Sequence, residues 1–174
     1  EFGHSFAGLA DEYYTSAVAY NEFYPKGVEP LEPNITALLD PENLKWKDLA
    51  TPGIEIPTPW EKEEFDRMDA AHQKVRQEIN ARIAAMKRAG APQADVERLE
   101  QKSEKLSREQ ANKVDEYLRR SKFWGMIGAL QGAGYSAQGL YRPAVDCLMF
   151  TKGAKPFCRV CEDAVRRVIK FYTE

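Results

Sequence analysis

Between residues 61 and 122 the chain carries 28 of its 52 charged side chains, yet the apolar residues among them recur at a helical period. Phe65, Met68, Val75, Ile79, Ile83 and Met86 are separated by three, four or seven positions, which places them on one face of a helix. His72 falls on the same seam. The pattern breaks at Arg88-Ala89-Gly90-Ala91-Pro92, where glycine suits a helix end and proline a first helical turn. A second stripe follows at Val96, Leu99, Leu106, Val114 and Tyr117, with Ser103 and Gln110 lying on it. The segment is therefore expected to form a long antiparallel helical hairpin whose charged faces are solvated.

The rest of the composition narrows the function classes. Lys and Arg number 25 against 27 Asp and Glu, so the formal charge of −2 makes no electrostatic case for nucleic-acid binding. An apolar fraction of 43% with 11% aromatics is enough to bury a core, so global disorder is not expected. No run approaches the ~18 apolar residues that a membrane span requires, and the first residues lack the order of a signal peptide. Two histidines, His4 and His72, are too few for an ordinary two-histidine metal site unless one ligand lies elsewhere.

Four segments are expected. Residues 1–20 form the end of a helix and a turn, and residues 21–60 a proline-rich connector holding seven of the ten prolines between Tyr24 and Trp60. Within it, Asn34-Ile35-Thr36 matches a glycosylation sequon, a pattern too short to carry weight. Residues 61–122 are the hairpin. In residues 123–174, Gly125, Gly128, Gly132 and Gly134 do not fit a dinucleotide fingerprint and point to close backbone packing. A helix is expected from Cys161 to Tyr172, burying Val165, Val168, Ile169 and Tyr172. The fold class is mainly α, with any sheet lying upstream.

The chemistry concentrates at the start. Glu1-Phe2-Gly3-His4 matches the last four positions of the HExxH zinc motif, whose two histidines project from one helical face while the glutamate reaches water at the metal. The first histidine would lie one position before Glu1. Gly8 lets the helix end, and Asp11 and Glu12 supply carboxylates seven and eight residues after His4, where metzincin-type sites usually place a third ligand six residues on. The third ligand is open between them. Met149, in Tyr141-Arg-Pro-Ala-Val-Asp-Cys-Leu-Met149, is the candidate for the methionine turn that such enzymes pack beneath the zinc. Cys147, Cys158 and Cys161 admit one disulfide, a CxxC pair or three metal ligands. The thioredoxin reading of Cys158-Arg-Val-Cys161 lacks its βαβ context.

Four stretches together resemble the IgA peptidase family of bacterial zinc metallo-endopeptidases: EFGHSFAGLADEYY at residues 1–14, DPENLKWKDL with TPGIEIPTP within residues 40–59, GAGYSAQGLYRPAVDCLM at residues 132–149 and FCRVC at residues 157–161. The resemblance implies that the chain is the C-terminal part of a metzincin-like zincin catalytic domain with the helical hairpin as an insertion. It implies a secreted or periplasmic enzyme that hydrolyses peptide bonds in protein substrates. His4 with Asp11 or Glu12 would hold Zn²⁺, Glu1 would act as general base, and Tyr135 or Tyr141 would donate to the oxyanion. For an exported enzyme, a disulfide from Cys147 to Cys158 or Cys161 is expected, with one thiol left over. The N-terminal remainder of the same protein would complete the site, so the 174-residue chain alone is expected to bind zinc poorly and to hydrolyse nothing. The alternative is a catalytically inactive interaction module that presents the charged hairpin to a partner.

Overall fold

The computed structural model describes residues 1–14, 23–151 and 153–174. Residues 15–22, which end the first expected segment and begin the second, lie outside the described residues. The chain divides into two compact units, one made of Glu1–Trp60 with Arg120–Glu174 and the other of Glu61–Arg119. Helix predominates, as expected.

The second unit is a helical hairpin. Helix α2 runs from Lys62 to Arg88 and α3 from Gln93 to Arg119. Between them Gly90 takes φ 63°, a left-handed conformation that costs glycine little, and Pro92 stands just ahead of α3. Phe65, Val96, Val114 and Leu118 are buried, whereas Val75 stays 43% exposed. Two packed helices leave much of each stripe half-covered, and ion pairs such as Lys87 Nζ with Glu100 at 2.8 Å bridge them along the solvated edge. His72 is half-buried on this seam, and burial lowers its pKa.

The first unit is built around a small sheet that composition did not announce. A short helix, α1, spans Phe2–Ala7. Much further along, strand β1 (Leu130–Ala133) pairs antiparallel with β2 (Ser136–Arg142). Gly134 and Tyr135, at φ 54° and 64°, form the two-residue turn between them, the arrangement whose twist suits a tight hairpin. The expectation that any sheet lies upstream is thus corrected. Its pairing depends on the proline-rich connector: Thr36 bridges Tyr141 on one side and Thr58 bridges Leu130 on the other.

The connector is pinned by side chains rather than by regular structure. Trp46 Nε1 donates to Gly128 O at 2.7 Å, and Trp60 Nε1 to Gln131 O at 3.0 Å. Lys45 Nζ donates to the carbonyls of Pro30, Glu32 and Ile35 and pairs with Glu29 at 3.0 Å. Leu44, Trp46, Ile127, Ala129, Ala144 and Val160 form one apolar core, and Ala10, Ile35, Ala133 and Leu140 a second. The close packing expected of the glycines holds at Gly128, Gly132 and Gly134, where a Cβ would stand 2.2 Å from Thr58 Oγ1, 2.4 Å from Tyr14 Cε1 and 2.8 Å from Tyr24 Cε2, but not at Gly125, where it would meet nothing within 4 Å.

Helix α4 runs from Arg159 to Thr173 and packs against α1. Its buried face is Val160, Cys161 and Ala164, while Ile169 and Tyr172 are 49% and 78% exposed. The expected apolar face is therefore rotated: Val160 packs with Leu44 and Trp46, and Cys161 lies against Glu12 and Cys147.

Candidate functional site

Helix α1 ends at Gly8, in the left-handed region at φ 61° and ψ 30°, and its N–H bonds His4 O at 3.1 Å. This sharp exit turns the chain back beneath the helix, so that Leu9 O comes to lie 2.6 Å from His4 Nδ1. Only an Nδ1–H satisfies that carbonyl, which fixes the tautomer and leaves Nε2 to face outward. His4 Nε2 lies 3.2 Å from Asp11 Oδ1, with the two side chains 38% and 17% exposed. Lone pairs on nitrogen and carboxylate meet there, and a cation between them, a proton or a metal, is what makes the approach favourable.

Asp11 is held from its other side. Its Oδ2 accepts the phenol of Tyr135, and its carbonyl accepts Gly134 N–H at 3.0 Å. Tyr135 N–H in turn bonds Tyr13 O at 3.0 Å, so the turn of the β-hairpin is docked along residues 11–13. A non-glycine residue with positive φ is uncommon, and such strain concentrates at functional sites. Burial, and next the bond to Asp11, raise the Tyr135 pKa well above its ordinary value, so the phenol keeps its proton.

The remaining candidates are distributed differently. Glu1, the N-cap of α1, is exposed, and its carbonyl accepts Ser5 N–H at 3.0 Å. Tyr141 lies on β2, paired with Thr36, and its hydroxyl accepts Gln131 Nε2 at 3.5 Å; it packs against the Leu44 and Trp46 core. Met149 is 8% exposed, its carbonyl accepts Glu12 N–H at 2.8 Å, and its sulfur would lie 3.0 Å from a Cβ built on Gly3. The methionine thus sits directly against the helix that carries His4.

Glu12 parts company with its neighbour. The Glu12 carboxylate is fully buried while Asp11 faces His4. Glu12 Oε1 accepts Asn34 Nδ2 at 3.0 Å and lies 3.1 Å from Cys161 Sγ. Burial above all, and then the neighbouring Cys147, raise its pKa well above the carboxylate range. Cys147, Cys158 and Cys161 are free thiols. Cys147 Sγ and Cys161 Sγ stand 3.7 Å apart, well beyond a bond of about 2.05 Å, so the expected disulfide is not formed.

Two residues that matter here escaped the sequence reading. Asn34 is buried and clamps Ala10 through its backbone N–H at 2.8 Å and carbonyl at 2.9 Å, besides bonding Glu12. Its short, polar, sequon-like context carries no mark of burial. Arg142 is also buried, with its guanidinium carbon 3.8 Å from the Phe150 ring centre and 4.3 Å from that of Trp60. The only hint was its place inside the Tyr141–Met149 stretch.

Among proteins with curated descriptions, none matches the chain. The model of one family, described as IgA Peptidase M64, matches residues 1–169, nearly the whole length and the same family that the four stretches resemble. A peptidase family thus accounts for both ends of the sequence and for the segment between, and the chain belongs to the IgA peptidase M64 family.

Proposed function

We infer that this chain supplies the zinc-binding and proton-transfer residues of a metzincin-like metallo-endopeptidase. One observation carries the reading: His4 Nδ1 is committed to Leu9 O, which leaves Nε2 3.2 Å from Asp11 Oδ1. A fixed imidazole beside a carboxylate braced by Tyr135 is a donor set that suits Zn²⁺, and both side chains are open enough to admit it. His4 and Asp11 would hold the metal, with a further histidine placed by the zinc-motif resemblance just before Glu1. Glu12 is buried among Asn34 and Cys161 and takes no part.

The chemistry supplied by zinc when bound is Lewis acidity toward a peptide carbonyl and toward water. Glu1, one turn from His4 and exposed, takes a proton from water and returns it to the leaving amine. Tyr135 keeps its proton and holds Asp11 in place with its one O–H, and serving a developing oxyanion would require that O–H to turn from Asp11 to the substrate. Met149, pressed against Gly3, supports the floor of α1, which favours the metzincin-like reading. The substrate is a protein or peptide, and a secreted or periplasmic location accords with the family. Among the described residues no helix is long and apolar enough to cross a membrane.

In the full-length protein, His4→Ala should lose both zinc and hydrolysis. Tyr135→Phe should keep zinc and lower kcat by about 10²-fold, the range of one oxyanion donor. Retention of zinc and activity by the His4 variant would remove the site.

A further inference from the structure

Four side chains that the peptidase reading does not use converge on one buried point. Glu12, Cys147, Cys158 and Cys161 each offer a ligand atom, and these atoms all lie within 4.8 Å of one another. Glu12, Cys147 and Cys161 are at most 1% exposed, and Cys158 is half-buried. In a tetrahedral zinc site with Zn–S of about 2.3 Å, two ligand sulfurs stand about 3.8 Å apart. The 3.7 Å between Cys147 Sγ and Cys161 Sγ is that edge. Glu12 Oε1, 3.1 Å from Cys161 Sγ, completes a compact shell.

The surroundings favour anionic ligands around a cation. Glu12 Oε2 is buried and has no hydrogen-bond partner among the described residues, an orphan of the kind that a metal or a proton resolves. The backbone N–H groups of Met149 and Cys158 approach Cys147 Sγ at 3.5 and 3.3 Å, as donors do around a thiolate. Cys158 is the N-cap of α4 and Cys161 lies in its first turn, where the helix dipole stabilises negative sulfur.

We propose that Glu12, Cys147, Cys158 and Cys161 form a closed structural site for a soft divalent cation of the zinc class, separate from the His4–Asp11 pair. Each thiol that ligates gives its proton to solvent, and no oxidation state changes. Such a site ties the turn that carries Met149 to α4 and to residues 10–12, so it braces the floor beneath α1. It does not rest on the peptidase reading.

The test uses the 174-residue chain with His4→Ala and Asp11→Ala, which removes the other ligand pair. Cobalt(II) is titrated into reduced, metal-free protein. The expected result is one cobalt per chain with thiolate-to-cobalt charge-transfer absorption and tetrahedral visible bands, displaced by zinc. The three thiols should then resist a disulfide reagent until a chelator is added. Since a cysteine variant can fail to fold, Glu12→Gln is the second arm and should weaken binding by about tenfold or more with the helical content retained. Three reactive thiols with no charge-transfer band, or a disulfide leaving one titratable thiol in protein never exposed to reductant, would overturn the site. Unchanged affinity of the Glu12 variant would overturn the four-ligand assignment. Any of these results leaves the His4–Asp11 reading standing, because its ligands are absent from the tested protein.

Discussion

Replacing Gly3 by alanine drives a methyl group into space that three side chains already occupy. The new Cβ would lie 3.0 Å from Met149 Sδ, 3.1 Å from Leu9 Cδ1 and 3.3 Å from Phe157 Cε1. Comfortable separations are about 3.5–4.0 Å, so each contact is too short by several tenths of an ångström. Leu9 and Met149 are 2% and 8% exposed and have little room to retreat. Overpacking of this kind costs about 1–3 kcal/mol, and alanine in place of glycine in a helix returns about 1 kcal/mol. The net expectation is a loss of about 1 kcal/mol, which at a urea slope near 2 kcal/mol per molar lowers the midpoint by about 0.5 M. Gly3→Val adds two further carbons and should cost about 3 kcal/mol. A double-mutant cycle isolates the contact: Met149→Ala opens a cavity, so in that background Gly3→Ala should cost about 1 kcal/mol less than in the parent. If Gly3→Ala is stabilising and adds to Met149→Ala within about 0.5 kcal/mol, the methionine does not pack against the helix as described.

Three more outcomes follow from individual contacts. Asn34→Ala should destabilise by about 3 kcal/mol in denaturant melts, because it strands the Ala10 N–H and carbonyl and one Glu12 oxygen, all buried. Gly132→Ala should cost at least about 3 kcal/mol by the same measurement, since φ is 103° and the new Cβ would lie 2.4 Å from Tyr14 Cε1. In the helical hairpin, Tyr117 donates to Glu61 O at 2.8 Å, and burial, then the charge of Glu64, raises its pKa from 10 to about 12. The protonated phenol is the form favoured by folding, so its contribution is complete below pH 10 and fades as pH rises through about 12. The stability difference between the parent chain and Tyr117→Phe, followed across that interval, should shrink with pH.

The parts of this molecule that could be read from sequence are those with a local period or a local rule. The hairpin helices announced themselves because apolar spacing and the Gly90–Pro92 break need nothing from the rest of the chain. The β-hairpin did not. Its strands are glycine-rich and without alternation, and they exist because Thr36 and Thr58, remote in sequence, bridge their outer sides. In α4 the largest apolar residues suggested one face, while the Leu44 and Trp46 core and the pair Glu12 and Cys147 cover Val160 and Cys161 instead. At the site, the spacing of His4, Asp11 and Glu12 left the choice of ligand open. The structure separates the two carboxylates, sending Asp11 to His4 and Glu12 to the cysteines. Spacing likewise brought the three cysteines together without saying whether two of them bond.

Glu1 is the residue on which the proposed hydrolysis depends most directly. Under the proposed mechanism, in which Glu1 transfers protons and does not bind the metal, purified full-length protein carrying Glu1→Gln should hold the same zinc as the parent and hydrolyse a protein substrate at least about 10²-fold more slowly. Hydrolysis at the parental rate by that variant, with zinc retained, would contradict the mechanism and with it the role given to the start of α1.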